Sequence, residues 1–312
     1  MAEDRKEMTL EALGQPPKEI KQTEMTYTTR DGHKNRAKLF QPTSPPKDGS
    51  PLIVMFHGGG FCLGDPEGEE QSCRSFVQAF GAVCVSAAYR LGPEFKFPYS
   101  INDAWDALQW AASQAKEFGA DPSKGFVVGG TSAGGNISAV LSILARDEKL
   151  SPPLTGQYLS IPAVTPSKKY VPEKYQHMYL SMEQNAHGVP ILPKAAIDMF
   201  MEGYAPDNDS PLYNVLSNPK GHANLPAAYF QVNGMDPLRD EAIIYEKMLR
   251  EDNGVRTKLD MYPGLPHGYW GFFPMLKRSN DFREDMVQGM AWLLGMKANV
   301  SNVNTEAVAA QV

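Results

Sequence analysis

Strand-like runs at positions 52–56, 82–87, 126–129, 158–161, 228–232 and 258–262 alternate along the chain with longer stretches whose apolar residues return every three or four positions. Short, largely apolar runs mark strands buried on both faces, and their alternation with amphipathic helices predicts a mostly parallel sheet covered on both sides. The helical period is clearest over 101–118, where Ala104, Leu108, Ala111 and Ala115 repeat, and it returns over 239–252 and 282–294. Two earlier extended segments, 25–29 and 36–40, flank Arg30-Asp31-Gly32-His33, whose Asp-Gly pair signals a hairpin, so they predict an antiparallel edge. The expected fold class is therefore α/β, doubly wound.

Between Pro162 and Pro226 this pattern breaks. Prolines are frequent, and the main amphipathic stretch is Lys194–Tyr204, ending at Ala205-Pro206-Asp207. Long structureless excursions are uncommon in compact domains except as active-site lids, so the segment reads as an inserted cap. The expected division is a core of 25–161 and 227–297, a cap of 1–24 and 162–226, and a disordered polar tail at 298–312. Tyr170, Tyr175, Met178, Tyr179, Met182, Met199 and Met201 read mainly as the cap's own core.

At 312 residues and 42% hydrophobic content, the chain has ample material for a large core. Its net charge of −6, with Lys and Arg scattered, argues against nucleic acid as a partner. No apolar run approaches the ~20 residues of a membrane span, and the charged start, Met1 to Glu7, lacks a hydrophobic signal region, so a cytoplasmic location is expected. Cys62, Cys73 and Cys84 show no Cys-x-x-Cys spacing and read as thiols of a reducing compartment.

The chemistry concentrates in four places. Gly130-Thr131-Ser132-Ala133-Gly134 follows a strand-like run and precedes a helical one, the setting in which small flanking residues let a strand turn sharply into a helix and expose a serine hydroxyl. A serine needs a base, and the base needs a carboxylate to fix its tautomer. His267, on the loop after 258–262, and Asp236, at the end of 228–232, supply both in the order Ser, Asp, His. Asp236 before Pro237 also has the form of a helix cap, and Asp240 and Asp260 are reserve carboxylates. Upstream, His57-Gly58-Gly59-Gly60-Phe61 offers backbone N–H donors: Gly59 and Gly60, joined by Ala133, form the expected oxyanion hole. His57 reads as a loop-fixing residue, while His33, His177, His187 and His222 read as surface or capping histidines. The glycine spacing misses both dinucleotide and phosphate-loop patterns, which disfavours nucleotide binding.

These motifs, with Tyr89-Arg90-Leu91-Gly92-Pro93-Glu94, Asp236-Pro237-Leu238-Arg239-Asp240-Glu241 and His267-Gly268, resemble the hormone-sensitive-lipase-like carboxylesterases of the alpha/beta hydrolase fold-3 group over roughly residues 25–294. The resemblance implies an α/β-hydrolase fold with an eight-stranded sheet and a helical cap, no cofactor and no metal. It implies a small-molecule carboxylic ester or lactone as substrate, a homodimer as one oligomeric form, and catalytic roles for Ser132, Asp236 and His267. A tailoring enzyme using the same site, or a non-catalytic receptor, are the alternatives. Two departures stand out. Thr131 replaces the usual aspartate before the nucleophile, which predicts a changed elbow or pH optimum. The segment before the first strand is also short, which predicts less complete closure of the pocket.

Overall fold

The computed structural model describes residues 11 and 13–299. Eight strands form one sheet: β1 (Ile20–Thr28), β2 (Lys34–Pro42), β3 (Leu52–Phe56), β4 (Val83–Ala87), β5 (Phe126–Thr131), β6 (Gly156–Ser160), β7 (Ala227–Asn233) and β8 (Thr257–Tyr262). Their order is β1-β2-β4-β3-β5-β6-β7-β8, antiparallel from β1 to β4 and parallel from there on. Every residue of β3, β4, β6 and β7 is buried, as strands sandwiched between helix layers must be. Alternate residues feed opposite cores: Leu52, Val54 and Phe56 face one, Ile53 and Met55 the other.

The longer helices among the described residues are α1 (Glu70–Phe80), α2 (Tyr99–Ser113), α3 (Ala133–Asp147), α4 (Lys194–Tyr204), α5 (Arg239–Lys247) and α6 (Lys277–Leu294). α1 and α6 pack on the Ile53 face, with Phe76, Val77, Phe80, Met286 and Met290 buried there; α2, α3 and α5 cover the other. α1 is absent from the expected elements, although Cys73, Phe76, Val77 and Phe80 fall at helical spacing. β1 starts at Ile20, five residues before the expected strand, so Ile20 to Glu24 belong to the sheet; this exposed edge carries few apolar residues to announce it. Residues 300–312 of the expected tail, and 1–10 and 12 of the expected cap, lie outside the described residues. No helix among the described residues is long and apolar enough to cross a membrane.

Residues 162–226, between β6 and β7, hold α4 and short helical turns at Lys168–Tyr170, Glu173–Met178, Ser181–Gln184 and Val215–Ser217. Val171, Tyr175 and Tyr179 pack with Ile244 and Met248, which ties this segment to α5 and the turn after it. At its other end Tyr204 stacks on Phe61 with ring centroids 4.2 Å apart, and its hydroxyl accepts a hydrogen bond from Ser100 at 2.8 Å.

Candidate active site

Ser132 sits between β5 and α3 with φ 58° and ψ −112°, a conformation that L-residues adopt only where the surroundings enforce it. The flanking glycines are part of that enforcement. A Cβ on Gly134 would lie 1.9 Å from the Phe56 carbonyl oxygen, and one on Gly130 would lie 2.3 Å from the same atom. The turn is pinned by Ser132 N–H donating to the Ser160 carbonyl at 2.8 Å, while the Ser132 carbonyl accepts from Asn136 N–H at 3.0 Å.

His267 arrives on the loop after β8. That loop is laced to the end of β7: Gly234 N–H donates to the Tyr262 carbonyl, Met235 N–H to the Leu265 carbonyl, and the Asn233 side-chain amide to the Pro266 carbonyl at 2.8 Å. The lacing brings His267 Nδ1 within 2.7 Å of Asp236 Oδ2 and His267 Nε2 within 2.9 Å of Ser132 Oγ. A buried carboxylate accepts, so Nδ1 carries the ring proton and Nε2 is left to accept from the serine hydroxyl. Asp236 is 1% exposed, and its other oxygen accepts from Leu238 N–H at 2.9 Å. One oxygen of Asp236 thus faces His267 and the other turns the chain towards α5, which starts at Arg239 with Leu238 as its N-cap and no side-chain cap bond, so the capping reading of Asp236 does not hold.

The reserve carboxylates point elsewhere. Asp240 accepts from the N–H groups of Leu180 and Ser181 at 2.7 and 2.6 Å, and Asp260 from Tyr229 and Lys258. His57 stacks on Tyr89 at 4.3 Å, and its Nδ1 donates to the Gly58 carbonyl at 2.8 Å. Burial pushes its pKa down to about 4, so it is neutral above that pH and fixes the loop, as its sequence context implies. His222 is likewise buried, bonded through Nε2 to the Val215 carbonyl, with its pKa lowered by desolvation.

Gly59, Gly60 and Ala133 border the same cavity as Ser132. Among the described residues, none of their N–H groups donates a backbone hydrogen bond outside the helices and strands. Gly59 and Gly60 have φ of 118° and 61°, and a Cβ on Gly60 would lie 2.4 Å from the Phe200 ring of α4. The glycine loop is therefore roofed directly by the inserted segment.

Ser132, His267 and these glycines open on one cavity of about 1780 Å³. Tyr179, Met182, Met201 and Tyr213 of the inserted segment line it, so several residues that also build that segment's packing face the site as well. No residue of the described N-terminal segment does; the Leu13 and Gly14 carbonyls instead accept from Arg74 on α1. Two buried carboxyls beside the cavity had no sequence signal that singled them out. Glu69 hydrogen-bonds Thr131 and Ser72, and burial pushes its pKa up to about 7. Glu241, in the first turn of α5, is held well above the usual carboxylate range by burial and then by the nearby Asp236 and Asp240. Among the described residues there is no cluster of three or more His, Cys, Asp or Glu that could hold a metal.

Residues 53–271 match the family model described as alpha/beta hydrolase fold. An AB hydrolase superfamily protein of Schizosaccharomyces pombe is 40% identical, covering 94% of this chain and 86% of its own length. The versiconal hemiacetal acetate esterase of Dothistroma septosporum is 35% identical over 78% of this chain and 74% of its own. Among solved structures, vibralactone cyclase superposes with a TM-score of 0.86 at 34% identity, covering 95% of this chain and 86% of that one. The chain belongs to the alpha/beta hydrolase family, in its hormone-sensitive-lipase-like group. It is a serine ester hydrolase.

Proposed function

We propose that the protein cleaves a small carboxylic ester or lactone through an acyl-enzyme formed on Ser132. Ser132 Oγ attacks the carbonyl carbon as His267 Nε2 takes its proton, and Asp236 stabilises the resulting imidazolium. The N–H groups of Gly59, Gly60 and Ala133 stabilise the oxyanion, with Ala133 at the positive end of α3. His267 then protonates the departing alcohol oxygen, and water, activated by the same imidazole, releases the acid and restores Ser132. Residues 162–226 act as the cap over this reaction. The observation that carries the reading is the continuous chain from Asp236 through His267 to Ser132, at 2.7 and 2.9 Å, opening on the cavity.

Ser132→Ala is expected to lower kcat for p-nitrophenyl butyrate by about 10⁴-fold or more, and Asp236→Asn by a comparable factor through the wrong imidazole tautomer. Turnover by Ser132→Ala within ten-fold of wild type would remove the reading. A second reading, tailoring of a bulky oxygenated metabolite by the same residues, is favoured by the cavity of about 1780 Å³ and by likeness to an esterase of versiconal hemiacetal acetate and to a lactone cyclase. Competition of such esters against p-nitrophenyl butyrate separates the two.

A further inference from the structure

Beyond Ser132, one wall of the cavity carries polar atoms that acyl transfer does not use. Glu241 is 1% exposed; its Oε1 accepts from Val164 N–H at 2.8 Å and the same carboxyl also accepts from Thr165 N–H. Among the described residues, Glu241 Oε2, Thr165 Oγ1 and Tyr179 OH are all buried without a hydrogen-bond partner. All three residues line the cavity. Tyr213 lines it as well, and its hydroxyl has only the weak thioether acceptor of Met201, at 2.9 Å. Buried polar atoms without partners are uncommon in native proteins, and Glu241, Thr165 and Tyr179 bring three of them to one side of this cavity, away from the glycine loop where His57 Nε2 is another.

The wall stands next to the nucleophile. Thr165 and Val164 follow Ala163, whose N–H donates to the Ser132 carbonyl at 3.3 Å, and Glu241 lies five residues beyond Asp236 on α5. A substrate centred on Ser132 therefore reaches this wall with one of its arms. The chemistry of the wall is uncharged. Burial, with Asp236 beside it, keeps the proton on Glu241, and two N–H donors on the carboxyl leave Oε2 to carry that proton as a donor. Burial likewise keeps the Tyr179 and Tyr213 phenols protonated. Of the charged side chains that border the cavity, Lys168, Glu183, Lys194 and Asp198 are exposed, with Lys194 paired to Asp198 at 2.6 Å, while Asp65, Glu67 and Glu69 belong to the segment after the glycine loop, where Glu67 is paired with Arg36 at 2.6 Å.

We propose that Glu241, Thr165 and Tyr179 form a polar subsite for an uncharged hydroxyl or carbonyl on one arm of the substrate, so that the enzyme selects oxygenated esters or lactones over plain alkyl esters. The proposal rests on Ser132 being the attacking group. A carboxylate on that arm would meet no buried cation and is rejected, and an alkyl arm leaves the three atoms unpaired, the situation in which hydrogen-bonding sites discriminate most strongly.

The test compares butyl hexanoate with butyl esters of hydroxyhexanoates and ketohexanoates, and with hydroxybutyl and ketobutyl hexanoates, by acid release. Oxygen on the acyl chain and oxygen on the alcohol thus form separate arms. Wild type is expected to favour at least one oxygenated ester by roughly ten-fold or more in kcat/KM. Tyr179→Phe, Thr165→Val and Glu241→Leu should each shrink that ratio several-fold, because each removes the polar atom in question. The ratio is read within each variant, so a general loss of activity cancels, and any one variant that folds suffices. Equal rates on plain and oxygenated esters, or a preference that survives all folded variants, would overturn the subsite. Both would leave the Ser132 reading intact, whereas turnover by Ser132→Ala would remove that reading instead.

Discussion

At the residue scale, Thr131 stands where the resemblance to the hormone-sensitive-lipase-like group implies an aspartate, and the structure gives Thr131 a partner. A carboxylate still adjoins the nucleophile's turn, but Glu69 carries it, bonded to the hydroxyls of Thr131 and Ser72. Desolvation outweighs those two bonds and raises Glu69 from 4.5 to about 7. Because the folded pKa exceeds the unfolded one, the folded protein binds more protons between those values. The associated stability is complete below about pH 4.5 and is lost as pH rises through about 7. A shift of this size corresponds to at most about 3 kcal/mol. Glu69→Gln, neutral throughout, should therefore gain stability over wild type at pH 8 relative to pH 5, by up to ~3 kcal/mol in urea denaturation. Parallel pH dependence in the two proteins would show that Glu69 does not titrate in this range.

At the element scale, the long arm of the sheet is fastened by a buried charge pair. The guanidinium of Arg90, after β4, donates two hydrogen bonds to Asp103 of α2 at 2.8 and 2.7 Å and its backbone N–H a third at 3.0 Å, and the same carboxylate accepts from Asn35 of β2 at 3.0 Å. Asp103 is 0% exposed, so Asp103→Ala strands a guanidinium among buried neighbours. The expected cost is about 3 kcal/mol, the low end for a broken buried pair, because Asp31 still faces Arg90 from the solvent side at 2.8 Å. A loss below ~1 kcal/mol in equilibrium denaturation would show that the pair is not needed. β3, β4, β7 and the less buried β8 stand within a residue of the expected runs, whereas β6 starts two residues before its run, at Gly156 and Gln157, which carry no apolar signal. Where burial is set by tertiary packing, the pattern misleads. The period over 101–118 outruns α2, since Ala115 and Phe118 stay buried in the turns after Ser113. The expected helix 239–252 ends at Lys247 and continues as a wider π turn, Met248–Asp252, which no composition rule announces.

At the scale of the whole molecule, the catalytic candidates and the inserted segment with its helix Lys194–Tyr204 were legible because each has a local pattern, whereas the polar wall and the contacts of that helix with the glycine loop were not, because they arise only where distant segments meet. Glu241 reaches Val164 across 77 positions, and Ser100 reaches Tyr204 across 104. The second of these contacts matters for the site. Tyr204 closes α4 against Phe61, directly after Gly60, while Phe200 of the same helix fills the space above Gly60. The roof and the glycine loop are thus one packed unit, which argues against a freely swinging cap. Tyr204→Ala removes the stack and should cost about 3 kcal/mol of stability, in the range for large aromatic truncations. It should also lower kcat for p-nitrophenyl butyrate by roughly ten-fold at temperatures where the variant is folded, because displaced oxyanion donors weaken transition-state stabilisation. Tyr204→Phe keeps the stack and loses only the Ser100 bond, so it should cost about 1 kcal/mol and leave kcat within roughly two-fold. If folded Tyr204→Ala turns over as fast as Tyr204→Phe, the roof does not hold the loop, and the two units are independent.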